Sequence, residues 1–120
     1  MTEDVLAERV ARVRQRFIDT LEGKIAATFA ALPTLGSDTA PAIAAVGESY
    51  RCLHGLVGIG RTVGFPATGE AAHEAEDVLR GAYQAGRGLT ADEVSRLEDR
   101  LAALRLVAVR ELQSFHSLPQ

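Results

Sequence analysis

"HGLVGIGRTVGFP", residues 54–66, sets four glycines, Gly55, Gly58, Gly60 and Gly64, directly behind a histidine in a chain whose apolar residues otherwise recur at helical spacing. Each glycine inside a helix costs roughly 0.8–1 kcal/mol relative to alanine, so the set needs a physical reason. On a wheel of about 100° per residue, His54 lies with Gly47, Arg51, Gly58 and Arg61, while Leu53 and Val57 point toward the apolar side. His54 is therefore predicted to face outward. Two explanations fit the glycines. Gly55 and Gly58 could strip the helix wall beside the imidazole and let another molecule approach, or small residues such as the Gly60 and Gly64 pair could let two helices pack closely.

Working outward, "GFP" at 64–66 ends one helix and opens another, because glycine suits a left-handed cap and proline suits a first turn. The helix before it carries Ile43, Val46, Tyr50, Leu53 and Val57 on one face; the helix after it buries Ala72, Ala75, Leu79 and either Ala82 or Tyr83, then stops at "AGRG". Two more amphipathic helices flank this pair, one marked by Val10, Val13, Phe17, Leu21 and Ile25, the other by Leu97, Leu101, Leu104, Ala108, Leu112 and Phe115. "LPTLGSDTAP", residues 32–41, reads as turn chemistry running into a helix start, with Ser37, Asp38 or Thr39 as the cap and Pro41 in the first turn. Thr90 with Glu93 makes a T-x-x-E capping box for the last helix, and "SLPQ", 117–120, reads as a frayed end. Four helices, short links and no alternating strand pattern predict an all-α, antiparallel up-down-up-down four-helix bundle, a single domain over residues 1–120.

Composition narrows the function. The net charge is −3 and the basic residues are dispersed, which argues against nucleic acid as a partner and favours a protein with a basic surface. A single cysteine, Cys52, excludes an internal disulfide and fits a reducing cytoplasm; two residues before His54, it should sit on the far side of the wheel as a small buried hydrophobe. The charged start "MTEDVLAERVARVRQRF" does not resemble a signal peptide, and no stretch approaches the ~20 apolar residues of a membrane span. The expectation is a soluble cytoplasmic protein that neither enters nor binds membranes. Metal chemistry is not expected: Glu70 to His73 is a Glu-x-x-His without the second copy that a di-iron bundle needs, and "HEAE" from His73 is not H-E-x-x-H. With neither a Walker loop nor a dinucleotide fingerprint there is no ATP site, and His116 reads as an ordinary exposed histidine.

The hairpin gives His54 a neighbour. If the two central helices fold back about a turn near residue 65, residues whose numbers sum to about 130 share a height. That sets His54 against Glu76 and Val57 against His73, and Glu76 and His73, three apart, share a helix face. A carboxylate holding one imidazole nitrogen fixes the tautomer and leaves the other nitrogen free to attack an electrophile. This is the orienting logic of a catalytic triad with histidine itself as nucleophile.

His54, Gly58, Gly60, Thr62, Gly64 and Phe65, followed by His73 and Glu76, resemble the histidine-containing phosphotransfer (HPt) domains of two-component phosphorelays. The likeness is nearest to the phosphotransfer domain of chemotaxis histidine kinases, where the stretch reads H-x-x-K-G-G-x-G-T-F-G-F and an H-x-x-E follows. The resemblance implies that His54 is the phosphoacceptor, attacking through Nε2, with Glu76 and His73 in the network that orients it. It further implies a phosphorelay intermediate that binds no cofactor of its own. Its partners would be response-regulator receiver domains, and a histidine kinase, with magnesium carried by the receiver. One departure matters: Val57 stands where that family usually has a lysine that supplies positive charge near the phosphoryl oxygens. Arg61, about 20° around the helix from His54 and two turns on, is expected to reach back toward the imidazole, because helix side chains lean toward the N-terminus; Arg51 would lean away. An ordinary ion pair with a nearby acid is the other reading of these arginines. Arg51, Gly55, Gly58 and Arg61 are the expected docking residues. A bundle that binds and sequesters receivers or kinases without transferring phosphate is the alternative that Val57 raises.

Overall fold

The computed structural model describes residues 3–116, in four helices: α1 (Glu3–Leu35), α2 (Ala40–Val63), α3 (Pro66–Ala85) and α4 (Ala91–His116). The expected frayed end at 117–120 lies outside the described residues, among which there is no strand. Each helix packs on its neighbours in sequence and α4 closes onto α1, which is the ring of an antiparallel four-helix bundle. No helix among the described residues is long and apolar enough to cross a membrane.

The apolar spacing translates directly into the core. Phe17, Leu21 and Ile25 from α1, Leu53 and Leu56 from α2, Leu79 from α3, and Leu97, Leu101 and Leu104 from α4 are all buried. Phe65, which with Gly64 links α2 to α3, is fully enclosed with its ring tilted against those of Phe17 and Phe115, so the turn itself is part of the core. Ala82 rather than Tyr83 is the buried member of its pair. Tyr83 is exposed.

The caps follow the sequence chemistry. Thr39 is the N-cap of α2, its hydroxyl accepting from the Ala42 N–H, with Pro41 in the first turn. Gly64 takes the left-handed conformation, φ 93°, that ends α2 and that a side chain would strain. At α4, the Glu93 carboxylate accepts from the Thr90 N–H at 2.8 Å and the Thr90 hydroxyl accepts from the Glu93 N–H at 3.1 Å, completing the capping box.

Three expectations need correction. α1 does not stop before "LPTL"; it continues through Pro33 to Leu35, because Leu32 and Leu35 are one turn apart and both buried, and Pro33 sits where only the last turn loses a donor. The Leu35 carbonyl, open because Leu35 ends α1, accepts from the Leu89 N–H at 2.8 Å, which ties the end of α1 to the α3–α4 link. Val10 is only half-buried and Val13 is 44% exposed. Arg14 Nε donates to the Val63 carbonyl at 2.7 Å, marking where α2 ends alongside α1; the turns of α1 before it outrun the bundle. Ile43 is likewise exposed, near the opening turn of α2.

Candidate functional site

α2 carries the central histidine because its anchoring residues face the other way. Leu53, Leu56 and Val57 are buried, whereas the His54 side chain is 70% exposed. The glycines then divide between the two explanations the sequence left open. A Cβ at Gly55 or at Gly58 would meet no atom within 4 Å, so both leave bare wall beside the imidazole. A Cβ at Gly60 would stand 3.2 Å from the Phe65 carbonyl oxygen and 3.4 Å from the Gly69 Cα, so Gly60 and Gly69 are small because α2 and α3 cross closely there.

That crossing sets the register of the hairpin. His54 Nδ1 lies 2.6 Å from Glu76 Oε1, the pairing that the turn near residue 65 predicted. His73 joins from the previous turn of α3, with Nδ1 3.5 Å from Glu76 Oε2 and Nε2 3.6 Å from Asp77 Oδ2, both longer than a good hydrogen bond. Glu76 is not the solvated carboxylate that its residue type alone would suggest, being 2% exposed. Burial pushes its pKa up, but hydrogen bonds from His54 and Tyr50, the charge of His54 and the contact with His73 outweigh that and hold it below the ordinary carboxylate range. An ionised carboxylate only accepts, so the proton in the short contact belongs to His54 Nδ1. In the neutral imidazole the lone pair is then on Nε2.

Of the two readings of Arg61, the structure shows the ion pair with a nearby acid. Arg61 does not turn back to the imidazole; its Nη2 lies 3.0 Å from Glu70 Oε2 on α3, an exposed ion pair. A neighbouring acid on the adjacent helix competes for the guanidinium, which the wheel of α2 alone does not show. Arg51 leans toward the N-terminus as expected, and its guanidinium lies over Gly47. Cys52 is half-buried rather than enclosed, facing the Lys24 carbonyl on α1. His116 is exposed at the end of α4.

Two residues in the cluster were not singled out from sequence. The Tyr50 ring lies 5.9 Å from that of His54 and 4.2 Å from that of Tyr83, and Tyr50 helps to lower the pKa of Glu76 and to raise that of Arg80. Arg80 binds Asp77, with Nη1 2.6 Å from Oδ1, and brings Nη2 to 3.9 Å from Glu76 Oε1. Both stand four residues from a site residue on their own helix, Tyr50 before His54 and Arg80 after Glu76. The i,i+4 rule would have found them once the pair was fixed.

The arrangement is an exposed ring, oriented from behind by a buried carboxylate, beside the bare helix wall at Gly55 and Gly58. The sequence model of the Hpt domain matches residues 12–106, which takes in all of α2 and α3 with the greater part of α1 and α4. No curated protein and no solved structure was found to match the chain. With most of its length matched and the helices in the expected ring, the chain belongs to the histidine-containing phosphotransfer (Hpt) domain family.

Proposed function

We propose that this Hpt domain is a phosphoryl carrier of a two-component phosphorelay, with His54 as the residue that takes and gives the phosphoryl group. The observation that carries the reading is the 2.6 Å contact from His54 Nδ1 to a buried Glu76 beside the open wall at Gly55 and Gly58. In the forward step the Nε2 lone pair attacks the phosphorus of an aspartyl phosphate. The Nε2–P bond forms, the acyl O–P bond breaks, and the electron pair leaves on the partner's carboxylate. The ring becomes cationic, and Glu76 stabilises that charge through the Nδ1 proton it already holds. Transfer onward reverses these changes, returning the electron pair to Nε2.

Hpt domains interact with receiver domains and kinases. A receiver would contribute the aspartate and a magnesium ion, which neutralises the phosphoryl oxygens, while this chain contributes an oriented nucleophile. Gly55, Gly58 and Arg51 are proposed as the docking surface, with Arg61 at its edge. Incubation with a phosphorylated receiver should give a label on this chain that is acid-labile and alkali-stable and that disappears in His54→Gln. A label that survives His54→Gln, or no label with any receiver, counts against the reading. Val57 favours a second reading, a bundle that binds receivers without transferring phosphate; stable complexes with no label would select it.

A further inference from the structure

We propose that Arg80 supplies the positive charge at the His54 site that a lysine at position 57 would otherwise bring. The inference rests on the phosphocarrier reading above and names the residue that balances charge in it.

Val57 is an apolar side chain, 7% exposed and packed in the core, so position 57 offers no cation. The site nevertheless holds two carboxylates, Glu76 and Asp77, before any phosphoryl group arrives. An anion on His54 Nε2 would meet repulsion from both. Of the arginines near the histidine, Arg51 lies over Gly47 and Arg61 pairs with Glu70, whereas Arg80 reaches both Glu76 and Asp77. Arg80 comes from α3. Side chains on a helix lean toward its N-terminus, so Arg80 folds back over the preceding turn, the level at which Glu76 meets His54.

Its guanidinium is anchored and directed at once. Nη1 is held by Asp77 at 2.6 Å, and Nη2 stands 3.9 Å from the same Glu76 Oε1 that accepts the His54 proton. One oxygen thus lies between the imidazole and the guanidinium. Tyr50, four residues before His54 on α2, brings its ring to 5.9 Å from the imidazole on the same side of the cluster. Arg80 is 40% exposed and meets the two carboxylates on the Nδ1 side of the ring, so its charge acts on the site through them. Arg80 acts as a positioning residue: it offsets one carboxylate and so lets Glu76 stay ionised behind a ring that carries an anion.

The test uses the full chain and a small chemical phosphoryl donor, phosphoramidate, so that no partner surface enters. Labelling is followed by 31P NMR in wild type, Arg80→Ala and Arg80→Lys, with thermal melts and 15N NMR of the His54 tautomer in each. Arg80→Ala is expected to slow labelling and shorten the phosphohistidine lifetime by about tenfold, less than the loss of an enclosed oxyanion donor because the site is half open. Arg80→Lys should restore most of both, with the Nδ1–H tautomer kept throughout. Equal rates and lifetimes in wild type and Arg80→Ala would overturn the inference while leaving the carrier reading in place. A loss that Arg80→Lys does not restore, or one accompanied by a changed tautomer, would make Arg80 a structural residue and equally overturn it. Wild type that takes no label at His54 would instead overturn the carrier reading on which it stands.

Discussion

His54 and Glu76 meet at 2.6 Å across 22 residues of chain, the first 70% exposed and the second 2%. For the phosphoryl carrier proposed above, the asymmetry separates two tasks: the ring has to reach a partner, and the group that orients it has to be kept from water. A carboxylate exposed on the same surface would lose most of its hold to solvent. Enclosed, it interacts at lower effective dielectric.

Replacing Glu76 tests which of its properties matters. Glu76→Gln keeps an acceptor for the His54 Nδ1–H and removes the charge; Glu76→Ala removes both. The expected outcome is slower phosphorylation of His54, on the order of tenfold for the glutamine and more for the alanine, since the charge stabilises the ring as it becomes cationic. Stability should change by only about 1–2 kcal/mol, because the charge is lost along with its desolvation cost. Stopped-time labelling and urea melts check both. A glutamine variant as fast as wild type would mean that the charge is not used.

How much of this pair was legible without coordinates depends on one turn. Gly64, Phe65 and Pro66 mark the reversal so sharply that residue heights on α2 and α3 could be matched by number, and the match of His54 with Glu76 held. Arg61 failed for a complementary reason: its position on the α2 wheel was right, but the choice between His54 and Glu70 is made by the rotamer and by the adjacent helix. The run of α1 past Pro33 failed because local turn chemistry was weighed without the burial of Leu32 and Leu35, which only the packed bundle supplies. Tyr50 was read as a core residue; it is half-buried, with its ring toward the site.

The glycines predict opposite responses on one helix. At Gly58 an added Cβ meets nothing, so Gly58→Ala should stabilise α2 by up to about 1 kcal/mol through helix propensity. Gly58→Glu should fold equally well yet abolish receiver binding, by bulk and charge on the proposed docking surface. At Gly60 the Phe65 carbonyl and Gly69 stand in the way, so Gly60→Val should cost roughly 1–3 kcal/mol as α2 and α3 are forced apart. Thermal melts and a binding titration on the three variants decide it. Full receiver binding by Gly58→Glu would move the interface elsewhere, and an unchanged melt for Gly60→Val would dismiss the close crossing.

Acid should weaken the fold at a site remote from the histidine. Glu93 is brought down to about 2 by the Arg87 guanidinium, which reaches its two oxygens at 2.8 and 3.2 Å, against a partial rise from burial and with further help from Thr90. Because the folded-state pKa is below the unfolded one, the contribution of Glu93 is complete above pH about 4.5 and is lost as the pH falls toward about 2. Glu76, lowered in the same direction, adds to that slope. Urea midpoints measured between pH 7 and pH 2.5 should therefore fall more steeply in wild type than in Glu93→Gln. Parallel curves for the two would remove the ion pair from the account.

Position 57 joins the two questions left by the missing lysine. Val57 lies at the edge of the core beside the histidine face, so a lysine there can lay its stem along apolar neighbours and carry its ammonium to the surface. If Arg80 already supplies the charge, Val57→Lys in the otherwise native chain should change transfer from a phosphorylated receiver very little. The same substitution in Arg80→Ala should recover most of a roughly tenfold loss, because either cation offsets the carboxylates behind the ring. A melt of each variant separates this from unfolding. A large rise over a near-zero baseline in the Val57→Lys single variant would say that the native chain binds its partners without passing phosphate, and that Arg80 does not do the work of the lysine.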